Sequence, residues 1–306
     1  MGTVVEVAIS GLATGAVYAL VALSLNMVYV TARVVSFAQG DIGMLVVAGT
    51  LELGATQGNL PLGVRLVLCF AGAALVALLV DIVAVRAIRS TRGVTSYGWI
   101  VSTLGASIVL QNWAATWFGT ESQTFPEILP TGTLNVFGGV VPLEQVLTVV
   151  LAAVLVAILA VTVRRTQWGR MARALADNRE IAASCGVPVN TVRSSVIMVS
   201  AVLVGVAATV QAPQTFVNVY MGTPLLLNGM VAVVLGGLGE VGGGLAGGLV
   251  LGLANAIAGR WLDSTLVPYV PFLLLLVWLI FGIEIRAATR RVVNEVLRRP
   301  TPTGAA

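Results

Sequence analysis

The run Pro142-Leu143-Glu144-Gln145-Val146-Leu147-Thr148-Val149-Val150-Leu151-Ala152-Ala153-Val154-Leu155-Val156-Ala157-Ile158-Leu159-Ala160-Val161-Thr162-Val163, closed by Arg164-Arg165, decides the fold class. It supplies about 20 residues with few polar groups, the length a helix needs to cross the hydrocarbon core at about 1.5 Å per residue. Two guanidinium groups in succession then end it, because a charge left in lipid is expensive. Working outward, comparable runs cover 5–30, 34–53, 62–85, 96–118, 191–211, 225–235, 244–259 and 266–283. The whole chain has the same character: of 306 residues, 58% are hydrophobic and 10% charged, against about 45–50% and about 25% in a soluble domain. The expected fold is an all-α polytopic membrane protein of about 8–9 hydrophobic helical segments. Its membrane domain spans 1–285, and an Arg-rich tail covers 286–306.

Orientation follows from the arginines, since cytoplasmic loops hold the excess of positive charge. Arg86, Arg89 and Arg92 follow the third run, and Arg164, Arg165, Arg170, Arg173, Arg179 and Arg193 surround the connection after the fifth. The connections 54–61, 119–141 and 212–224 carry none. The Arg-bearing loops and the tail (Arg286, Arg290, Arg291, Arg298, Arg299) are therefore expected in the cytoplasm of a bacterial inner membrane, with the N-terminus outside. Met1 to Ala8 lacks a basic segment and carries Glu6, so the first run reads as a retained span rather than a cleaved signal.

Two runs, 225–235 and 244–259, are short for a crossing and are separated by Gly236-Gly237-Leu238-Gly239-Glu240-Val241-Gly242-Gly243-Gly244. A Gly-dense break around an acid predicts a broken or re-entrant pair inside protein. Small residues recur every fourth position at Gly11, Gly15 and Ala19, and again at Gly244, Gly248, Gly252 and Ala256. That spacing lets helix backbones approach closely, so both faces are expected in the bundle core.

Three absences limit the chemistry. All 17 basic residues are Arg, so no Lys-containing phosphate loop exists. There is no His, hence no histidine metal site, serine triad or imidazole relay. Cys69, in an apolar run, and Cys185, in a loop, are poorly placed for a disulfide. No catalytic residue, metal, cofactor or nucleic-acid partner is expected; lipid is the surrounding medium.

The connection 164–193 is too long for a turn and must hold structure. Asp177-Asn178-Arg179-Glu180 has the spacing of a capping box, with Asp177 as cap, and Gly186 and Pro188 supply the stop. This predicts a short surface helix over 178–185; the competing reading joins Arg170, Arg173, Asp177 and Glu180 as one charged stripe on a longer helix. Either arrangement presents a rigid element to a partner protein.

Glu180-Ile181-Ala182-Ala183-Ser184-Cys185-Gly186 resembles the E-A-A-x-x-x-G loop of ABC-importer permeases, with Ile181 in place of Ala. Gly169-Arg170-Met171-Ala172-Arg173-Ala174 with Asn178 and Gly186 is similar, more specifically, to branched-chain amino acid permeases of the LivH type. So are Gly11 to Leu20 leading into Ser36-Phe37-Ala38-Gln39-Gly40-Asp41, and Leu235 to Gly239 with Gly247 to Gly252. The family usually has Asn and His where Ser36 and Gln39 stand. The resemblance implies a non-enzymatic subunit working with a second permease of LivM-like kind or a copy of itself, two cytoplasmic ATPase subunits and an external binding protein. It also implies that Gly169, Arg170, Arg173, Asp177, Asn178, Glu180, Ala183 and Gly186 form the ATPase-coupling segment.

Polar residues within apolar runs usually face a bundle interior or a cavity. Asn26, Ser36, Gln39 and Asp41 are the candidates for a translocation path, with interhelical hydrogen bonding or an interfacial turn as the alternative. Gln111, Asn112, Gln211, Asn228 and Asn255 read as interhelical glue, and Glu240 as a cap or a partner of a cytoplasmic Arg. Asp81 and Arg86 are expected to pair or snorkel at a helix end. Branched-chain amino acids are the expected cargo; urea, short amides or other amino acids carried by the same assembly, or an ion-coupled transporter without an ATPase, are the rivals.

Overall fold

A computed structural model of the chain describes residues 2–56, 60–86, 98–126, 130, 132–136, 139–262 and 266–280. Each apolar run becomes a helix: α1 (Gly2–Ala32), α2 (Gln39–Thr56), α3 (Leu62–Val80, prolonged by a wide turn Asp81–Arg86), α4 (Gly98–Phe118) and α5 (Leu143–Arg165). Two short helices follow, α6 (Gln167–Asp177) and α7 (Arg179–Ser184), then α8 (Val189–Gln211), α9 (Gly222–Gly236), α10 (Val241–Trp261) and α11 (Val267–Ile280). A small antiparallel hairpin, β1 (Thr133–Val136) and β2 (Gly139–Pro142), precedes α5. The tail 286–306, with its five arginines, and Arg89 and Arg92 lie outside the described residues.

The helices are not equivalent. In their apolar windows 67% of α1 and 61% of α8 is buried, against 17% for α3 and for α5. The first two, with the buried first twelve residues of α2, form the centre; α3, α4 and α5 turn broad apolar faces outward, as at Val67, Leu75, Val101 and Val154. The outward faces suit a hydrocarbon solvent, in which burial by itself gives no drive to associate.

What holds the centre is close approach of backbone. The two stripes of small residues meet each other, with α10 antiparallel to α1. A Cβ built on Gly248 would lie 2.6 Å from Ala19 Cα, one on Gly11 would lie 3.0 Å from Ala256 Cβ, and one on Gly252 would overlap the backbone of Gly15. The expectation from spacing alone thus holds, and the two stripes are partners. The Gly-dense break is a turn with positive φ at Gly237 and Gly239, joining the short α9 to α10. One expectation needs correcting: α10 has 21 residues and is long and apolar enough to cross. Glycines add little hydropathy, which shortened the run read from sequence.

A second correction concerns the first connection. Gln39 begins α2 inside the bundle and not in an interfacial turn, because its amide reaches Ser24 of α1 and Ser200 of α8. Ser24 lies eight residues before the end of α1, which places the start of α2 about 12 Å in from that end. The start of α9 meets it there, with Gly222 packed on Gly40.

The Arg-rich connection meets the end of α1. Arg33, at the close of α1, donates to Ala176 O of α6 at 2.8 Å. At the other end a backbone bridge between Gln123 and Val217 ties together two of the three Arg-free connections.

Candidate functional site

The Arg-rich connection is two helices with a break. Thr166 caps α6 by accepting from Gly169 N at 3.1 Å, and Gly169 fits because a Cβ there would strike the backbone of Val163 in α5. Trp168 Nε1 donates to Ser195 Oγ of α8 at 2.7 Å. Leu175 is buried beneath α6, while Arg170, Arg173 and Asp177 are exposed. The chain then turns extended at Asn178, whose Oδ1 accepts from Glu180 N at 2.9 Å and Ile181 N at 3.1 Å. This corrects the predicted cap. Asp177 is the last residue of α6 and the Asp177–Glu180 box does not form; the single longer helix does not form either. Asp-Asn offered two good caps one residue apart, and the end of α6 decided between them.

Helix α7 stops as expected. Gly186 takes φ +81, and Val187 N closes back on Ala182 O, the left-handed finish that glycine accepts and a β-branched residue resists. Ala182 is buried against the bundle; Ile181, 63% exposed, stands outward with Glu180, Ala183 and Cys185. The short capped helix thus carries an exposed aliphatic residue flanked by small ones.

The interior polar candidates separate into two groups. Asn26 is glue: its Nδ2 donates to Glu240 O at 3.1 Å and its Oδ1 accepts from Gly239 N at 3.0 Å, fastening the α9–α10 turn. Glu240 precedes α10 without a side-chain cap. Ser36, Gln39 and Asp41 are buried together at the start of α2. Beside Gln39, the Asp41 carboxylate accepts from Ser107 Oγ and, at 3.0 Å, from Gln111 Nε2 of α4. Gln111 also reaches Thr223 Oγ1 of α9 at 3.2 Å. The carboxylate therefore sits where the amino-terminal ends of α2 and α9 meet, and helix dipoles favour negative charge at such ends. Ser24, Ser107, Ser200 and Thr223 were not foreseen; small hydroxyls abound in membrane helices, and only their convergence marks these four.

The side chain of Arg86, the expected partner of Asp81, lies outside the described residues. Asp81 forms a buried ion pair with Arg193, joining the wide turn after α3 to the first turns of α8. Asn228 and Asn255 converge on Tyr18, whereas Asn112, among the described residues, bonds back to its own helix at Ile108 O. Both cysteines are free. No set of three or more His, Cys, Asp or Glu suited to a metal occurs among the described residues.

Comparison with known proteins follows the same lines. The chain is 25% identical over 284 residues to the high-affinity branched-chain amino acid transport system permease protein LivH of Escherichia coli K12, covering 89% of this chain and 91% of that protein. It is 28% identical over 282 residues to the corresponding permease protein BraD of Pseudomonas aeruginosa, covering 89% and 92%. Among solved structures it is similar to PsaBC from Streptococcus pneumoniae in complex with Fab, at 12% identity, 88% and 89% coverage and a TM-score of 0.48. Residues 7–281 match the family described as branched-chain amino acid transport system / permease component, and with nearly the whole chain so matched, this multi-pass membrane protein belongs to that family.

Proposed function

We propose that the chain is the translocating subunit of an ABC importer of the bacterial inner membrane, carrying branched-chain amino acids with energy from ATP hydrolysed by partner subunits. In this reading two cytoplasmic ATPase subunits grip the α6–α7 segment. A second permease or a second copy completes the membrane pore, and an external binding protein delivers the solute. The N-terminus lies outside and the Arg-bearing end inside, as the charge distribution favours.

One observation carries the reading: the exposed helix pair is pinned to two of the buried central helices. Trp168 ties α6 to α8 through Ser195, and Arg33 ties α1 to α6 through Ala176. A displacement of α7 by a closing ATPase pair is thereby passed to α1 and α8. Those helices carry Ser24 and Ser200, the hydroxyls that hold Gln39 at the start of α2. Ser36, Gln39 and Asp41 then form the polar lining that the two-state bundle alternately exposes. An ATPase bound more tightly to one state shifts the bundle toward it, which is all that coupling requires.

The test is Glu180→Arg combined with Gly186→Val. The variant is expected to insert normally, yet to lose ATPase subunits on purification and to lose uptake of leucine. Normal uptake, or retained ATPase subunits, defeats the docking assignment.

A further inference from the structure

We propose that the hollow between α1, α9, α10 and α11 binds a neutral, zwitterionic amino acid with an aliphatic side chain. The proposal deepens the importer reading and rests on it for the choice of solute. Two hollows, of about 510 and 610 Å³, share Tyr18, Asn255, Gly259 and Val267 as walls. Their size lies within the range of small-molecule sites. The first runs along Ser10, Thr14 and Tyr18, three polar residues at spacings of four on one face of α1. They descend about 12 Å from the Arg-poor end of the bundle toward its middle.

The polar groups at the base are incompletely used. Tyr18 Oη accepts from Asn228 Nδ2 at 3.2 Å and from Asn255 Nδ2 at 3.3 Å, which leaves its own proton to give. Asn255 Oδ1 is buried without a partner among the described residues. A buried amide with an unmet acceptor is costly and invites a donor. The base thus offers one donor and one acceptor, while Glu6 and Arg260 bring one charge of each sign to the first hollow. Among the described residues lining the hollows neither sign of charge is in excess, which favours neither an anion nor a cation. A zwitterion does better: its carboxylate takes the Tyr18 proton, and its ammonium donates to Asn255 Oδ1 once the amide turns toward the hollow. Leu227, Val267, Pro271 and Phe272 supply the apolar wall for an aliphatic side chain.

Gly259 provides the probe, because it lines both hollows and a Cβ built on it meets nothing within 4 Å. In the assembled transporter carrying Gly259→Cys with Cys69→Ala and Cys185→Ala, and without binding protein, the rate of maleimide labelling is measured. Leucine at about ten times its dissociation constant should slow labelling about tenfold by simple occupancy. Isovalerate and isopentylamine, each half of the zwitterion, should not slow it at matched concentration. Adding Tyr18→Phe should raise the leucine concentration for half-protection about fivefold, the worth of one hydrogen bond. Leucine without effect overturns the site. Protection that appears only with added phospholipid assigns the hollow to an acyl chain and also overturns it. Because protection is read directly, a complex that is protected by leucine but does not accumulate it with ATP counts against the importer reading and leaves this site standing.

Discussion

The seam between α1 and α10 and the helix pair α6–α7 are held together in opposite ways. In the seam, glycine lets backbone rest on backbone at Gly248–Ala19 and Gly252–Gly15, with no side chain between them to yield. The pair rests on a few buried side chains, Leu175 and Ala182 among them, and on single hydrogen bonds: the caps of Thr166 and Asn178, the Trp168–Ser195 bond and the Arg33–Ala176 bond. Each such hydrogen bond is worth about 1 kcal/mol, so far less holds the pair than holds the seam, and a load on it reaches α1 and α8 through a few named contacts. A rigid centre with a lightly pinned handle suits a bundle that a partner must move without melting.

The contrast can be broken at the seam first. Gly248→Leu forces a branched side chain into the backbone of α1, beyond ordinary overpacking, and should cost more than about 3 kcal/mol. The expected result is loss of monodisperse protein in detergent, and a well-folded variant would show that the seam gives way after all. Next comes the joint between the regions. Asp81→Ala leaves the Arg193 guanidinium buried without its carboxylate partner, at about 3 kcal/mol. Asp81→Leu with Arg193→Met should recover most of that loss in a thermal melt. A double variant as unstable as the single one would mean that the pair organises more than its own charges. The smallest effect is expected at the handle, where Asn178→Ala removes one cap at about 1 kcal/mol. Hydrogen exchange should quicken over residues 179–185 while α1 and α8 stay protected; global unfolding would refute the independence of the two regions.

Much of this was open to a reader of the sequence, residue by residue. The stripes at Gly11 and Gly244 announced close packing, because spacing of four is a local property of one helix. The short helix near Glu180 was legible from its breakers, Gly186 and Pro188, although the cap fell one residue away because Asp and Asn compete almost equally. Gln39 was harder. Its neighbours Ser36 and Asp41 look like an interface, and only Ser24 and Ser200, from two other helices, show that the start of α2 is buried. Nor could the sequence show that Asp81 meets Arg193, 112 positions away. The convergence of Asn228 and Asn255 on Tyr18 spans still larger separations.

By itself, then, the order of amino acids determined which segments are apolar helices, where they break and which connections carry positive charge. Those are sums over neighbouring residues, to which the choice between water and lipid responds directly. Tertiary structure alone decided which buried hydroxyl, amide or carboxylate meets which. A helix turns by about 100° per residue, so a polar group's partner depends on rotation and depth to within a single residue, and no local sum of hydropathy carries that information.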